Sequence, residues 1–254
     1  RMRSERPKPL HRICGRPMVL HVIHALELLK PQHTVVVVGH AAELVSKKIS
    51  EEAPGWANVA FAEQREQNGT GDATAIGMSA LSGDDYDDEA TVLVVPGDTP
   101  LLAAETLDEL VASHVANSNA ATLLTSVVAD PTGYGRVIRG KDERVLRIVE
   151  QRDAAPDELD VREINTSIYA FRRDLLGPAL RHLSPDNAQG EYYLTDVIGV
   201  LGGGGRSGQL IPALVDLFKQ GRFPFDRLVK FYNMDEIEQA LEDSKSGAVI
   251  KPIL

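Results

Sequence analysis

T-V-L-V-V-P-G-D-T-P-L-L, residues Thr91 to Leu102, contains the apolar run Val92 to Val95 with no polar break. Such a run marks a strand buried on both faces of a parallel sheet. Pro96 and Gly97 end it, and Asp98 follows at once. Ligands of open α/β sheets sit beyond the carboxyl ends of the strands. A carboxylate at Asp98 can there hold a hard cation such as Mg²⁺ while substrate phosphates supply further ligands. Read locally, the same aspartate caps the helix near Leu102 or shapes a turn.

Working outward, strands and helices alternate. Pro17 suits the first turn of a helix, and Met18, Val22, Ile23, Leu26 and Leu29 follow at helical spacing. Thr34 to Val38 is a β-branched run and reads as a buried strand. Ala41 to Glu52 reads as a helix with Leu44, Val45 and Ile49 on one face, and Val59 to Ala62 as a short strand. Gly69 to Leu81 turns helical after its glycines. Asp84 to Glu89 is an acidic, solvated loop, and a helix runs from about Ala103 to Ala116. This order predicts a doubly wound, mostly parallel sheet. From Ala121 the pattern changes. Strands at Thr122 to Val128, Gly135 to Ile138, Val145 to Gln151 and Ser167 to Phe171 have little helix between them, which predicts an antiparallel addition beside the site. Helices are expected over Arg173 to His182 and Tyr193 to Leu201.

Gly202 to Gly205 is a run of four glycines, the strongest linker signal in the chain. Beyond it, Leu210 to Gln220 and Asp235 to Lys245 read as helices, and Ala248 to Leu254 as a short strand. So short a piece makes a thin core of its own, so it docks on the main domain, pairs with another chain or stays loose. A homo-oligomer is left open. The whole, 254 residues, suits one large α/β domain with an appendage. A net charge of −10 argues against a nonspecific nucleic-acid coat. No apolar run approaches the roughly 20 residues of a membrane span. Cys14 is the single cysteine. It reads as a small buried residue in a reducing cytoplasm.

Several stretches carry candidate chemistry. Arg1, Arg3 and Lys8 place three cations in a proline-punctuated opening loop, suited to a triphosphate or simply exposed. In E-Q-R-E-Q-N-G-T-G-D-A, Glu63 to Ala73, glycines before a helix let backbone amides approach an anion or a carbonyl edge. Gln64 carries both a donor and an acceptor with which to read a base. The plainer reading of Gly69 and Gly71 is a turn. Asp72 suits the first turn of the helix dipole. P-T-G-Y-G-R, Pro131 to Arg136, is a glycine-bounded loop entering a strand, suited to a sugar or phosphate or merely a tight turn. Glu150 ends an apolar strand and Asn165 begins another; each can bond vicinal hydroxyls or stand as a strand-end polar residue.

Together and in this order, these motifs resemble the uridyltransferase domain of bacterial N-acetylglucosamine-1-phosphate uridyltransferase. They are R-M-R-S-x-x-P-K-x-L-H at Arg1 to His11, Q-x-x-x-x-G-T-G at Gln64 to Gly71, G-D-T-P-L-L at Gly97 to Leu102 and G-Y-G-R at Gly133 to Arg136. I-V-E-Q-R-D-A at Ile148 to Ala154, E-I-N-T-S-I-Y-A-F at Glu163 to Phe171 and N-A-Q-G-E-Y-Y-L-T-D at Asn187 to Asp196 continue it, so that about residues 1 to 201 are covered. The resemblance implies a Rossmann-like nucleotidyltransferase, an α/β fold with a mostly parallel mixed sheet and a small antiparallel addition. It implies condensation of UTP with N-acetylglucosamine 1-phosphate to UDP-N-acetylglucosamine and pyrophosphate, for cell-wall precursor synthesis. Arg1 and Lys8 would meet the nucleotide phosphates; Gln64, Gly69 and Thr70 would hold uracil. Asp98 would ligate Mg²⁺, and Gly135, Glu150 and Asn165 would hold the amino sugar.

The sequence departs from that family in places. The family's L-x-x-G-x-G-T strand and phosphate loop, which precede the Arg-Met pair, do not precede Arg1, so a truncation is expected. Asp72 stands where the family has a small residue or His. The later metal-ligating Asn and the left-handed β-helix domain do not follow Leu201. An inactive or binding-only module is the alternative these gaps raise. Residues 202 to 208 read as a junction. About residues 209 to 254 resemble the C-terminus of zinc-dependent medium-chain alcohol dehydrogenases through R-F-P-F-D-R-L-V-K-F-Y at Arg222 to Tyr232 and the stretch from Asp235 to Leu254. That segment carries no zinc ligand and no dinucleotide loop, so an oxidoreductase is the weakest reading.

Overall fold

The structure is a computed structural model and describes residues 6–81, 90–202, 229–231 and 251–253. The chain divides into two compact units, Arg1–Gly205 and Arg206–Leu254. Arg1, the acidic cluster Asp84 to Glu89, the glycines from Gly203 to Gly205 and most of the tail lie outside the described residues.

The first unit opens with a 3-10 turn at Lys8–Leu10 and a small hairpin, β1 (Arg12–Ile13) and β2 (Arg16–Pro17). Its two turn residues, Cys14 and Gly15, have φ of +49° and +84°. Two positive φ values in succession suit the right-handed twist of a tight hairpin. Cys14 is therefore exposed at a turn tip, not buried as its small apolar character suggested. Pro17 stands just before α1 (Met18–His24). The helix was expected to reach Leu29. Instead, Leu26 N–H bonds to Ile23 O and Glu27 N–H to His24 O, so i to i+3 turns replace the α ladder. Apolar spacing cannot tell the two apart over so few residues, and Leu26 is buried either way.

The β-branched run forms β3 (Thr34–Val38), which pairs in parallel with β4 (Val59–Glu63) from Thr34 against Val59 to Val38 against Glu63. Between them α2 (Ala42–Glu52) buries Val45 and Ile49, four residues apart on one stripe. Leu44, expected on that face, lies one position off it and is exposed. After β4 comes α3 (Thr70–Ala80).

The apolar run of the decisive stretch forms β5 (Thr91–Val94). After it, α4 (Ala104–Ala116), β6 (Ala121–Val127), β7 (Arg136–Arg139), β8 (Val145–Val149), the short α5 (Pro156–Leu159) and β9 (Glu163–Arg172) follow. The unit's described helices end with α6 (Arg173–Leu180) and α7 (Asp196–Leu201). Here the expected parallel order gives way. Among the described residues β5 pairs with β9 alone, and antiparallel; β6 and β7 also run antiparallel to β9, and β8 to β7. In this unit only β3 and β4 are described as a parallel pair. An apolar run reports burial of both faces, not the direction of a neighbour. Both faces of the strand are packed, as read, but its side chains are only partly buried. Val92 and Val94 pack with Tyr169, Phe171, Leu176, Leu194 and Val197 on one side of the sheet, while Leu93 and Val95 pack with Leu107, Leu110 and Ala170 on the other. Helices α6 and α7 thus cover one face and α4 the other, an α/β/α sandwich around β9. Fully buried side chains of this size contribute about 1.5–3 kcal/mol each.

β9 runs ten residues, far beyond the Ser167 to Phe171 expected from sequence. Its polar middle, Asn165-Thr166-Ser167, hides the continuity. There its pairing with β6 slips: Leu123 opposes Tyr169 but Thr125 opposes Asn165. The extra residues form a bulge, with Ser167 at φ +63°. A third core cluster gathers Leu10, Val19, Leu20, Ile23 and Val38 around α1 and β3.

In the second unit, β10 (Val229–Phe231) and β11 (Lys251–Ile253) pair in parallel. The helices read over Leu210 to Gln220 and Asp235 to Lys245 fall outside the described residues.

Candidate functional site

Gly39 and His40 follow β3, and Gln64 follows β4, so both loops leave the carboxyl ends of the parallel pair. With Lys8, Gln67, Gly69, Thr70 and Glu191 they line a cleft of about 470 Å³. The glycine turn shaping its floor permits no side chain. Gly69 has φ +107°, and a Cβ there would lie 2.6 Å from Tyr192 O and 2.9 Å from Tyr192 N. Gly71 donates its N–H to Tyr192 O at 2.7 Å, and Tyr192 donates to Asn68 O at 2.7 Å. A Cβ on Gly71 would also collide with Leu183 Cδ1. Close backbone packing, not turn shape alone, therefore requires these glycines.

Gln64 Nε2 donates to Gly69 O at 3.1 Å and to Asp72 Oδ2 at 2.8 Å. Thr70 lines the cleft, but its hydroxyl oxygen accepts from Leu194 N–H at 3.0 Å. Lys8 stands in the cleft wall and its ammonium rests on the Asp98 carboxylate. Asp98 therefore neither caps nor begins α4, whose N-cap is Ala103. Both partners keep substantial exposure, so the pair itself adds little stability. What it does show is that a cation is welcome at this carboxylate.

Gly135, Glu150 and Asn165 come together elsewhere in the unit. A Cβ on Gly135 would lie 3.4 Å from Glu150 Oε1, and Asn165 N–H donates to Gly135 O at 2.9 Å. Asn165 is nearly buried at 6% exposure. Its Nδ2 donates to the Tyr169 hydroxyl at 2.7 Å, and its Oδ1 accepts from Ser167 N–H at 3.1 Å across the β9 bulge. Asn165 thus meets the glycine loop through its backbone N–H, while its side chain is held within β9. Burial pushes the Glu150 carboxyl up, opposed by the Thr195 hydroxyl that donates to Oε1 at 3.2 Å and reinforced by Asp153. Desolvation also raises the Tyr169 phenol. Asp196 reaches solvent along one side, yet its carboxyl is pushed up to about 6, first by desolvation and then by Asp153 and Glu150.

The loop carrying Gly135 is held by Arg136, a guanidinium only 2% exposed. It donates to Tyr134 O, to Gln151 Oε1 at 2.8 Å and to Leu159 O at 3.4 Å. Gln151 Oε1 also accepts from Gly133 N–H at 3.1 Å. The segment Asn187 to Asp196 touches both clusters: Tyr192 seats the glycine turn, Thr195 bonds Glu150, and Ala188 N–H donates to Asp153 Oδ1 at 2.8 Å. Sequence reasoning used this segment for resemblance but drew no site residue from it. Its dense run of polar and glycine residues just before a helix was the available signal. Gly39, His40 and Gln67 carried none.

Comparison with known proteins places the chain in a family. The family model described as nucleotidyl transferase matches residues 2–206. Bifunctional protein GlmU of Mycobacterium marinum is 47% identical over 214 residues, 84% of this chain and 42% of that protein. The protein of the same name from Streptomyces avermitilis is 50% identical over 202 residues, 79% of this chain and 41% of its own. The chain thus spans less than half the length of these curated relatives. Among solved structures, UDP-glucose pyrophosphorylase complexed with UDP-glucose superposes with a TM-score of 0.57 at 13% identity, covering 84% of this chain and 91% of that one. HddC from Yersinia pseudotuberculosis gives 0.53 at 18% identity, with 76% and 75% covered. At those identities the likeness is one of fold. The family match stops at residue 206, and the alcohol-dehydrogenase resemblance of the tail gains no support from it.

Proposed function

The chain belongs to the nucleotidyl transferase family, and from that premise we propose that it transfers uridylyl from UTP to N-acetylglucosamine 1-phosphate. The products are UDP-N-acetylglucosamine, a cell-wall precursor, and pyrophosphate. The observation that carries this reading is the cleft at the carboxyl ends of β3 and β4, with the Gln64 amide in its wall and the Lys8–Asp98 pair at its edge. The relatives named bifunctional protein GlmU, at 47–50% identity, cover the same segment that carries these motifs.

Gln64, Gly69 and Thr70 hold the uracil, the last two through the backbone of the α3 first turn. Gly135, Glu150 and Asn165 hold the amino sugar, with Glu150 as hydroxyl acceptor. Lys8, and Arg1 outside the described residues, neutralise the nucleotide phosphates. A phosphate oxygen of the sugar phosphate attacks the α-phosphorus. The new P–O bond forms as the bond to the bridging oxygen breaks, and that electron pair leaves with pyrophosphate. These residues align the reactants and screen their charge; no covalent intermediate is needed.

Among the described residues no three His, Cys, Asp or Glu side chains stand together as a metal cage. One carboxylate that already accepts a cation still fits Mg²⁺, which takes most of its ligands from phosphates and water. Asp98 would hold that ion, and when bound it supplies further neutralisation of the phosphates. We assign the transferase to about residues 1 to 201 and treat 202 to 208 as a junction to an appended segment, in keeping with the division at Gly205. A free Cys14 accords with a cytoplasmic setting. No described helix is long and apolar enough to cross a membrane.

The test is pyrophosphate release from UTP and N-acetylglucosamine 1-phosphate with and without Mg²⁺. Release requiring both sugar phosphate and metal, and lost in Asp98→Asn, is expected. Release by Asp98→Asn at the wild-type rate would remove Asp98 from the metal site. No release with any sugar 1-phosphate would overturn the transferase.

A further inference from the structure

A glutamine amide reads opposite patterns in its two orientations, because rotation by 180° exchanges a donor for an acceptor. In this cleft one orientation is imposed. Gly69 O and Asp72 Oδ2 both face one end of the Gln64 amide, at 3.1 and 2.8 Å. Both are acceptors, so only the NH₂ group fits there. Turning the amide over would press Oε1 against two oxygens, one of them a carboxylate. Among the described residues Oε1 itself has no hydrogen-bond partner, and Gln64 lines the cleft.

We propose that Asp72 is a positioning residue that sets the base selectivity of the cleft by locking the Gln64 amide with its acceptor free; this deepens, and rests on, the reading of the cleft as a uridine nucleotide site. A free acceptor pairs with an imino N–H flanked by carbonyls, the edge of uracil. It repels the unprotonated ring nitrogen of cytosine at the same position. Of the two bonds that hold the amide, the one to Asp72 is shorter and charge-assisted, and such bonds are about twice as strong as neutral ones. Asp72 is itself anchored in the first turn of α3, where the helix dipole favours an anion. It is one of the positions at which the sequence departs from the resembling family, and the proposal gives that departure a task. The carboxylate need not touch the nucleotide to perform it.

The experiment is calorimetric titration of the full chain with UTP and with CTP, for the wild type, Asp72→Ala and Asp72→Asn. The wild type binds UTP in preference to CTP. Asp72→Ala frees the amide to rotate, and the preference falls by roughly tenfold, the scale of one hydrogen bond to a charged group. Asp72→Asn has the same shape but presents either an acceptor or a donor, so the preference falls about threefold. A fold defect lowers both affinities alike, whereas release of the amide moves their ratio. A wild-type ratio in either soluble variant overturns the proposal and leaves the uridine reading standing. A wild type that does not distinguish UTP from CTP overturns both.

Discussion

Replacing Gly69 by Ala tests whether the glycine turn is a packed part of the proposed nucleotide cleft. The residue sits at φ +107° and ψ 178°, a region that side chains with a Cβ avoid. Occupying it costs about 1–3 kcal/mol. The added Cβ would also lie 2.6 Å from Tyr192 O and 2.9 Å from Tyr192 N, both backbone atoms, so the Tyr192 peptide must move. That movement disturbs the bonds from Gly71 N–H and to Asn68 O, each 2.7 Å long. At about 1 kcal/mol apiece, these bring the total to roughly 4 kcal/mol. For a unit of this size the melting temperature then falls by about 10 °C. Gly190→Ala is the control. It has φ +67° but nothing within 4 Å of the new Cβ, so it carries only the left-handed cost of about 1–2 kcal/mol. Thermal unfolding followed by circular dichroism, with UTP titration of each variant, measures both consequences. Gly69→Ala should melt well below Gly190→Ala and bind UTP more weakly. Equal melting temperatures, or wild-type UTP affinity in Gly69→Ala, would refute the clash with the Tyr192 backbone as the reason for glycine.

Two further expectations follow from the cluster of Gly135, Glu150 and Asn165, proposed to hold the amino sugar. Arg136→Met strips Tyr134 O, Gln151 and Leu159 O of a buried charged donor. It should destabilise the fold by about 3 kcal/mol and raise KM for the sugar phosphate, since the loop holding Gly135 is no longer pinned; an unchanged KM would show that the arginine serves stability alone. Glu150 has its carboxyl raised above 4.5 by burial, so the folded state binds that proton more tightly than the unfolded chain does. Stability from this group is present at low pH and falls as pH rises from about the unfolded value through the raised folded one. Glu150→Gln should flatten that slope in pH-dependent melting while raising KM for the sugar phosphate. A slope identical to the wild type would mean the carboxyl does not titrate there.

How far the residues speak for themselves varies along the chain. Thr34 to Val38 is five β-branched residues in succession and forms β3 with those bounds. Thr70 to Ala80 opens behind a glycine and is helical as its spacing predicts. β9 was half seen, because its polar bulge breaks the apolar pattern that marks a strand. That same bulge carries Asn165, so the least strand-like residues of the strand include one assigned to the proposed site. Leu44 and Cys14 were placed inside by their chemistry and lie outside by their position.

Local chemistry, written into adjacent residues, is what the sequence by itself determined: the apolar packing of Val92 to Val95 on both faces of the sheet, the glycine turn, and the candidates Lys8, Gln64, Asp98, Gly135, Glu150 and Asn165. Only the tertiary structure decided how distant segments meet. It set β5 antiparallel to β9, put Asp72 on the Gln64 amide, and brought Tyr192 and Thr195 to two clusters more than forty residues away in the chain. Propensity and periodicity are properties of neighbours in sequence. Strand direction, side-chain hydrogen bonds and the exclusion of a single Cβ depend on which surfaces the packed core brings within a few ångströms, and no local pattern encodes that.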